Sequence, residues 1–511
     1  MLKIGRALLS VYNKEGVLDF ARGLQSLGVE LLSTGGTFSL LTKEGIAVKE
    51  VSSYTGFPEI MGGRVKTLHP MIHGGILAKR DDLQHQEEAK KNGIPPIDLV
   101  AVNLYPFKET IAKPNVSLEE AIENIDIGGP TMLRAAAKNY KDVVVVVDPN
   151  DYGDILKKIS DDKLSEEERL GLAQKVFSHT ADYDKAVASY LGGKKLEPFP
   201  DSLVLSYQKV QTLRYGENPH QKASFYREAG NDATGWADAK ILWGKEMSYN
   251  NFLDSDSALK LLKEFDVPAA VIVKHNNPCG VATGETLLEA YQKARAADPV
   301  SAFGGVAAFN RPMTDALATA ITSTFMEVII APSYPPTTLT LFQKKKDLRV
   351  LEAGKSVEPV YDFRLISGGL LVQDPNNKVL NDSNEMRVVT QRAPTPEEEA
   401  AMLFAWKVCK HVKSNAIIFA KPGEIVGIGA GQMSRVDSVE IAIRKAQVPI
   451  TGSAMASDAF IPFRDGLDIA AKAGISAVIQ PGGSIRDKEV IAAADEHQIA
   501  MVFTGMRHFR H

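Results

Sequence analysis

The sequence predicts an α/β protein with at least two domains, and three features of the chain support this prediction. Short apolar runs alternate with amphipathic segments in both halves, which is typical of β-α-β units around a parallel sheet. The chain has 511 residues, whereas single hydrophobic cores stop growing at about 250–300 residues. A stretch rich in glycine, proline and charge, GGKKLEPFPDS at 192–202, marks the predicted domain boundary.

The amino-terminal region, residues 1–195, is predicted to be one α/β domain of about five strands. Its alternation begins with the strand ALLSV, the helix KEGVLDFARGLQSLG, the strand VELLST and the helix TFSLLTKEG. Further strands are predicted at DLVAVNLYP (98–106) and DVVVVVD (142–148), with a helix in TMLRAAAKNY between them. The helical stretch SEEERLGLAQKVFSHTADYDKAVASYL then leads to the boundary.

Residues 203–511 show a similar alternation twice. The first series is PAAVIVKHNNPCGVATG, then the helix LLEAYQKARAAD, then FGGVAAFN. The second is NAIIFAKPGEIVGIGAGQ, the helix SVEIAIRKAQ, and AVIQPGG followed by KEVIAAADEHQIA. This order fits two related α/β lobes, although the self-similarity of the sequence is too weak to prove a repeat.

Composition restricts the class of function. A net charge of -4 gives no overall attraction to nucleic acid or to an anionic membrane, so neither is expected as a partner. No apolar run reaches the roughly 18 residues of a membrane span, and the start lacks a secretory cleavage site, so we expect a cytoplasmic protein. Two cysteines, Cys279 and Cys409, are too few for a disulfide framework or a cysteine-rich zinc site.

Two loops of the amino-terminal domain suit a phosphate group. Ser10 lies at the end of the strand ALLSV and Lys14 follows that strand, while Thr34, Gly36 and Thr37 follow the strand VELLS, and each loop leads directly into a helix. Helix starts carry free N–H groups and the positive end of the helix dipole, so two of them at the carboxyl edge of one sheet favour an anion. The simpler interpretation, that the hydroxyls only cap these helices, stays open.

Three later motifs, GGRVKTLHPMIHGG, NLYPF and IDIGGPTMLRAAAKN, add donor and acceptor groups. Lysine ammonium and tyrosine hydroxyl groups can donate to a developing oxyanion, and an aspartate can accept a proton. Taken singly, each residue also has an ordinary structural interpretation. The candidate residues in these motifs are Arg64, Lys66, Thr67, Tyr105, Asp126 and Lys138.

In the second region, the strongest chemical signal is the adjacent pair Lys274 and His275 after the strand AAVIV. The sequence predicts that this pair begins a loop over residues 276–280. A lysine can donate to an oxyanion and a histidine titrates near neutral pH, so the pair could supply an oxyanion donor and a general base. A chance pairing on the surface is the alternative.

Two ordered sets of motifs resemble known enzyme domains. SVYNKEG, STGGT, GGRVKTLHP, NLYPF and IDIGGPTMLRAAAKN resemble the IMP cyclohydrolase domain, which has a methylglyoxal-synthase-like fold. LRYGENPHQ, KHNNPCG, DPVSAFGG, KSNAIIFA, GIGAGQMSR, SDAFIPFRDG and QPGGSIRD resemble the AICAR formyltransferase domain, a pair of cytidine-deaminase-like lobes. The resemblance covers nearly the whole chain and implies an IMP cyclohydrolase domain at 1–195 and an AICAR formyltransferase domain at 203–511.

The implied enzyme is bifunctional. It would transfer a formyl group from 10-formyltetrahydrofolate to AICAR, giving FAICAR, and then close the FAICAR ring with loss of water to give IMP. The resemblance assigns ring closure to Lys66, Tyr105, Asp126 and Lys138, and formyl transfer to Lys274 and His275. It assigns nucleotide binding in the first domain to Ser10, Lys14, Thr34, Gly36, Arg64 and Thr67, beside Thr37 of the same phosphate loop. In the second domain it implies nucleotide contacts from Arg214, Tyr215, Asn251, Asn415, Phe460, Arg507 and His511, with Asp465 at the folate pterin.

The resemblance also implies a homodimer whose formyl-transfer sites take residues from both subunits. No catalytic metal is expected, because the zinc signature H-x-E with P-C-x-x-C is absent, while a structural potassium ion stays open. Three alternatives remain: a chain with only one of the activities, a ligand-sensing amino-terminal domain, and a pyridine-nucleotide enzyme based on GIGAGQ (427–432). The last motif has Gln432 where the third fingerprint glycine should fall, and close backbone approach explains its glycines better.

Overall fold

Contacts within the chain divide it into two units, Met1–Ser206 and Tyr207–His511. The computed structural model describes residues 3–192, 199–228, 235–353, 360–380 and 385–511. The predicted boundary segment includes residues 193–198, which lie outside the described residues, so the assignment of the two domains to 1–195 and 203–511 stays a prediction. Within the described ranges, no helix is both long and apolar enough to cross a membrane.

The first unit is built on an all-parallel, five-stranded sheet with the order β3-β2-β1-β4-β5. Its strands are β1 Arg6–Val11, β2 Glu30–Ser33, β3 Lys49–Glu50, β4 Leu99–Asn103 and β5 Val144–Val146. Separate clusters of buried apolar side chains cover the two faces of the sheet. The predicted α/β domain of about five strands is confirmed, and the strand order reverses direction at β1.

Ten helices are described in the first unit. They are α1 Val17–Ser26, α2 Gly35–Lys43, α3 Val51–Thr55, α4 Pro70–Leu77, α5 Leu83–Lys91, α6 Phe107–Ile111, α7 Leu118–Glu123, α8 Gly128–Lys138, α9 Tyr152–Ser160 and α10 Glu166–Gly192. The long helix α10 packs against α8 and β5. It therefore supports α8, the helix formed by the motif IDIGGPTMLRAAAKN.

The second unit contains a mixed sheet of twelve described strands, in the order β16-β21-β20-β19-β17-β18-β10-β9-β11-β12-β13-β8. Two further hairpins, β6-β7 and β14-β15, stand outside it. The strands are β6 Tyr207–Leu213, β7 Ala223–Glu228, β8 Lys240–Trp243, β9 Ala269–Lys274, β10 Asn277–Thr283, β11 Val306–Phe309, β12 Val328–Ala331, β13 Arg349–Glu352, β14 Asp362–Ile366, β15 Gly369–Gln373, β16 Arg387–Val388, β17 Ile417–Lys421, β18 Glu424–Gly429, β19 Ala454–Ser457, β20 Ala477–Gln480 and β21 Ala500–Phe503.

The two halves of this sheet repeat one order of elements. Each half has a helix, an antiparallel hairpin, three more strands separated by helices, and an antiparallel strand at the outer edge. The halves meet where β10 pairs with β18, at Ala282 and Glu424. The helices are α11 Tyr249–Leu262, α12 Leu287–Ala297, α13 Pro299–Ala302, α14 Asp315–Thr322, α15 Pro336–Phe342, α16 Pro396–Cys409, α17 Arg435–Lys445, α18 Arg464–Lys472 and α19 Asp487–Glu496. Two related lobes, as the alternation suggested, are present.

The predicted loop over residues 276–280 is wrong, because most of it is strand. β9 ends at Lys274 and β10 begins at Asn277, so only His275 and Asn276 connect them. Pro278 and Gly280 suggested a loop, but the strand absorbs them at a register shift between these two residues. A Cβ on Gly280 would lie 2.2 Å from the carbonyl oxygen of Ala294 on α12, which explains the glycine as a close helix–strand approach.

In the equivalent hairpin of the second lobe, β17-β18, glycines also allow a close approach between strand and helix. A Cβ on Gly427 would lie 2.5 Å from the carbonyl oxygen of Ala442, and one on Gly429 would lie 1.8 Å from that of Ser438, both on α17. The interpretation of GIGAGQ as a close backbone approach is therefore confirmed for Gly427 and Gly429, whereas Gly431 instead adopts a positive φ of +69°.

Candidate active sites

The carboxyl ends of β1 and β2 bring the two predicted phosphate loops together. Lys14 Nζ donates to Thr37 Oγ1 at 2.9 Å and also to the carbonyl oxygen of Val11. The Thr37 hydroxyl donates to that same carbonyl and accepts from the Val11 N–H. Burial lowers the pKa of Lys14. The two loops therefore form one connected edge, with an ammonium group behind the start of α2.

Thr34 and Gly36 lie at the start of α2, while Ser10 lies near the end of β1. Thr34 is the residue before the first helical residue, but within the described part of the chain its side chain accepts no capping hydrogen bond from α2. Thr37 bonds to β1 instead of capping its own helix. For these two threonines, the capping interpretation does not describe the observed contacts.

Lys66, Tyr105 and Asp126 come together next to this edge. Asp126 Oδ1 accepts the N–H of Gly129 at 2.8 Å. Burial raises the pKa of Asp126, although backbone hydrogen bonding and the nearby charge of Lys66 act in the opposite direction. The Tyr105 side chain is 45% exposed, so its hydroxyl is accessible to a ligand.

Glycines allow the three loops of the first site to approach each other. Gly35 adopts a φ of +55°, and a Cβ placed there would lie 3.8 Å from Lys66 Nζ. A Cβ on Gly128, the first residue of α8, would lie 2.8 Å from Thr67 Oγ1. The starts of α2 and α8 therefore converge on the Lys66–Thr67 segment.

Arg64 and Lys138 are not brought into this cluster within one chain. Arg64 makes an exposed ion pair with Glu123. Lys138 is the last residue of α8, whereas Asp126 precedes the first, so the helix separates them by roughly 15 Å. Lys138 instead lines a groove with Arg134 and Phe177.

One supporting residue of the first site was missed by the sequence analysis. Tyr183 on α10 accepts the backbone N–H of Asp126 at 2.7 Å through its hydroxyl. The sequence carried no signal for Tyr183, because it lies 57 positions from Asp126 in a regular helix.

In the second unit, Lys274 and His275 line a cavity of about 360 Å³ between the two lobes. Lys274 Nζ donates to the carbonyl oxygen of Phe303 at 2.7 Å. Gln432 and Lys445 of the second lobe line the same cavity. The predicted pair is therefore at a concave surface and not on an open face.

Asn415, Phe460 and Asp465 line a second cavity, of about 380 Å³. Gln432 lines the first cavity and Met433 lines the second, so one short segment borders both. Five predicted residues of the second unit therefore line two neighbouring cavities: Lys274, His275, Asn415, Phe460 and Asp465. A sixth, Arg507, lies over the ring of Phe509, which lines the second cavity.

Asn415 is held by a partly buried polar network. Its Oδ1 accepts from Arg435 Nη2 at 2.8 Å, and its Nδ2 donates to the carbonyl oxygens of Gln432 and Met433. Arg435 also pairs with Asp458 at 2.6 Å. Asn415 is therefore fixed before any ligand binds.

The remaining predicted residues of the second unit occupy three places. Asn251 forms a capping box with Ser248 at the start of α11 and donates to Glu327 at 3.0 Å. Arg214 lies over the ring of Tyr215, and both follow β6. The ring of His511 lies 5.5 Å from that of Phe509, whose side chain lines the second cavity.

Within the ranges that the structure describes, no group of three or more His, Cys, Asp or Glu side chains could hold a metal ion. Cys279 lines the first cavity, and burial raises its pKa to about 12, while Cys409 is buried. The expectation that catalysis needs no metal stays a prediction.

Family models and a solved structure show which proteins this chain is similar to. A family model for the AICARFT/IMPCHase bienzyme matches residues 136–445, more than half of the chain, and a model for the MGS-like domain matches residues 16–131. A solved structure entitled "Crystal structure of ForH" is similar at 39% identity, with a TM-score of 0.34, over 37% of this chain and 97% of that one. The chain therefore belongs to the AICARFT/IMPCHase bienzyme family, and it is a bifunctional enzyme that uses a folate-type formyl donor for the last two steps of IMP synthesis.

Proposed function

We propose that the two candidate sites act in sequence on one ribotide, formyl transfer in the second unit and ring closure in the first. The formyl donor is 10-formyltetrahydrofolate, the acceptor is AICAR, and FAICAR passes between the sites. The observation that carries this proposal is that each unit holds its own set of proton-transfer and oxyanion groups. Lys66, Tyr105 and Asp126 lie at one sheet edge, whereas Lys274 and His275 line a cavity of the other unit.

In ring closure, the carboxamide nitrogen of FAICAR attacks the formyl carbon, and water is then lost. An amide nitrogen is a poor nucleophile, so the attack needs orientation, removal of a proton and stabilisation of the oxygen. Asp126 accepts the proton, since its carboxylate is held by the N–H of Gly129 and stands near Lys66. Lys66 and the accessible hydroxyl of Tyr105 donate to the developing oxyanion.

The phosphate end of the nucleotide belongs to the loops after β1 and β2. The start of α2 offers free N–H groups, and Lys14 behind it supplies a positive charge. Ser10, Thr34, Gly36, Thr37 and Thr67 complete this nucleotide site. Arg64 would join it by leaving its exposed partner Glu123, at little cost because exposed ion pairs are weak.

In formyl transfer, the 5-amino group of AICAR attacks the formyl carbon of the folate. His275 removes the amine proton, and Lys274 stabilises the oxyanion or protonates the departing N10 atom. Asp465 in the second cavity suits the pterin, because a carboxylate can accept two N–H bonds. The nucleotide contacts are Arg214, Tyr215, Asn251, Asn415, Phe460, Arg507 and His511.

The proposal includes a cytoplasmic homodimer whose formyl-transfer sites draw on both subunits, with a structural potassium ion left open. Lys138 belongs to the ring-closing set by resemblance. Since it lies at the far end of α8 from Asp126, it would have to reach that set from a second chain.

The direct test supplies purified full-length enzyme with AICAR and 10-formyltetrahydrofolate and separates the products by chromatography. We expect FAICAR to appear first and IMP to follow, and we expect added FAICAR to give IMP without any folate. If neither product formed, the proposal would be wrong. If FAICAR accumulated without ring closure, the assignment of the first site would be wrong.

A further inference from the structure

We propose that Asp254 is a positioning residue for formyl transfer, because its carboxylate holds the turn that carries His275. This inference rests on the proposed role of His275 as the general base. Asp254 lies on α11, one turn after Asn251. The resemblance of the chain to the AICAR formyltransferase domain assigned no role to Asp254. The structure brings it to the catalytic pair across 21 positions of sequence.

The turn itself needs support. His275 and Asn276 form the entire connection between β9 and β10, and their φ angles are +53° and +60°. Two-residue hairpin turns of this kind are normally built from Asn-Gly or Gly-Gly, because both residues must adopt positive φ. A histidine in that region persists where the surrounding structure holds it.

Asp254 supplies that support through both of its oxygens. Oδ1 accepts the N–H of Asn276 at 2.7 Å, and Oδ2 accepts the N–H of His275 at 3.2 Å. One carboxylate that binds two consecutive N–H groups fixes both peptide planes. It therefore fixes the direction in which the His275 side chain leaves the backbone, and no described residue hydrogen-bonds either ring nitrogen of His275.

Neighbouring contacts hold the rest of the turn. Ser257, one turn further along α11, donates to Asn276 Oδ1 at 3.1 Å, and Asn277 Nδ2 donates to the carbonyl oxygen of His275 at 3.3 Å. The helix that presents Asp254 is anchored by the capping box of Asn251. The contacts of Ser257 and Asn277 are made with a side chain and a carbonyl group of the turn, whereas Asp254 accepts both N–H groups of the turn.

The first experiment compares Asp254→Ala with Asp256→Asn as the matched control. Asp256 lies on the same helix and accepts Trp236 Nε1–H at 3.1 Å, away from the turn. Because small displacements of a catalytic group cost up to about 100-fold in rate, we expect Asp254→Ala to lower kcat for formyl transfer about 10- to 100-fold. KM for both substrates and the ring closure of supplied FAICAR should stay at wild-type values, as should both activities of Asp256→Asn.

A rescue variant separates positioning from general structural support. Glycine adopts positive φ without strain, so Asn276→Gly should stabilise the turn without Asp254. We expect Asp254→Ala/Asn276→Gly to recover kcat to within about threefold of the wild-type enzyme. A normal kcat for Asp254→Ala, a loss of ring closure in the same variant, or no recovery on adding Asn276→Gly would each overturn the inference.

His275→Ala distinguishes this inference from the proposal beneath it. If Asp254 acts through His275, then Asp254→Ala/His275→Ala should be no slower than His275→Ala alone. If His275→Ala keeps normal formyl transfer, the proposed base is wrong, and the positioning role falls with it. If His275→Ala is inactive and Asp254→Ala is normal, only the positioning role is wrong.

Discussion

The two candidate sites are assembled in different ways. In the first unit, predicted residues meet because parallel strands end at one edge of a small sheet, where Lys14 and Thr37 from successive loops are in direct contact. In the second unit, the predicted residues come from two lobes and line two neighbouring cavities. A parallel sheet brings residues together locally, whereas the second site depends on how the lobes are joined. The two activities should therefore respond independently to substitution.

The largest separation is expected from His275→Ala. Loss of a general base costs about 10²- to 10⁴-fold in rate, so formyl transfer should fall by that factor while ring closure of supplied FAICAR is unchanged. Initial rates with each substrate measure both effects. Equal loss of the two activities would contradict the independence of the sites.

The reverse separation is expected from Lys66→Ala. Removing one oxyanion donor costs about 10²- to 10³-fold in kcat, so ring closure should fall while formyl transfer stays normal. Lys49→Ala serves as a control, since Lys49 lies over the ring of Tyr54 and not at the proposed site. Normal ring closure in Lys66→Ala would remove this residue from the mechanism.

The pH dependence of ring closure tests Asp126. Burial raises the pKa of this carboxyl above the usual value of about 3.9. Only the carboxylate can accept a proton, so the rate should fall as the pH is lowered through this raised pKa. Asp126→Asn should remove that acidic limb along with most of the rate. An unchanged limb in the variant would show that another group titrates.

A smaller effect is expected from substitution at the joint between the lobes, which is the cluster of Glu264, Lys410 and His411. Glu264, just after α11, accepts from His411 at 2.8 Å and from Lys410 at 2.9 Å, both just after α16. Burial alone would raise the pKa of Glu264, but these partners hold it at about 2. The pKa of Glu264 in the unfolded chain is about 4.3, so its lowered pKa in the folded protein stabilises the fold by about 3 kcal/mol at pH values above about 4.3. This stabilisation is lost as the pH falls from about 4.3 to about 2.

Glu264→Gln should therefore lower the free energy of unfolding at neutral pH by about 3 kcal/mol, because it leaves Lys410 buried without its charge partner. Urea denaturation measures the change, and formyl transfer should lose heat resistance before ring closure does. Glu496→Gln, which alters an exposed pair with Arg464, is the matched control and should change the urea midpoint little. Equal effects of the two variants would contradict the proposed importance of the joint.

Much of the first site could be predicted from sequence, because strand ends and helix starts are local patterns. The loops that hold Lys14 and Thr37 were recognised in this way. Tyr183 could not be, since its bond to Asp126 joins distant elements. The separation of Lys138 from Asp126 along α8 could not be predicted either, because the helical pattern implies it only once the site has been located.

In the second unit, local patterns were less informative. Pro278 and Gly280 predicted a loop, but a register shift and a close helix keep them in β10. The roles of Asn251 and Asn415 as fixed hydrogen-bonding residues arise from partners far along the chain, Glu327 and Arg435 among them. The repeated order of elements was visible in the sequence, whereas the pairing of β10 with β18 was not.

The most direct test of two independent sites is to mix two variants that have each lost a different one of the two activities. Purified Lys66→Ala and His275→Ala are each supplied with AICAR and 10-formyltetrahydrofolate, alone and together, and IMP is measured. We expect Lys66→Ala alone to accumulate FAICAR, His275→Ala alone to form neither product, and the mixture to make IMP. A mixture that makes no IMP, although Lys66→Ala releases FAICAR, would contradict the account.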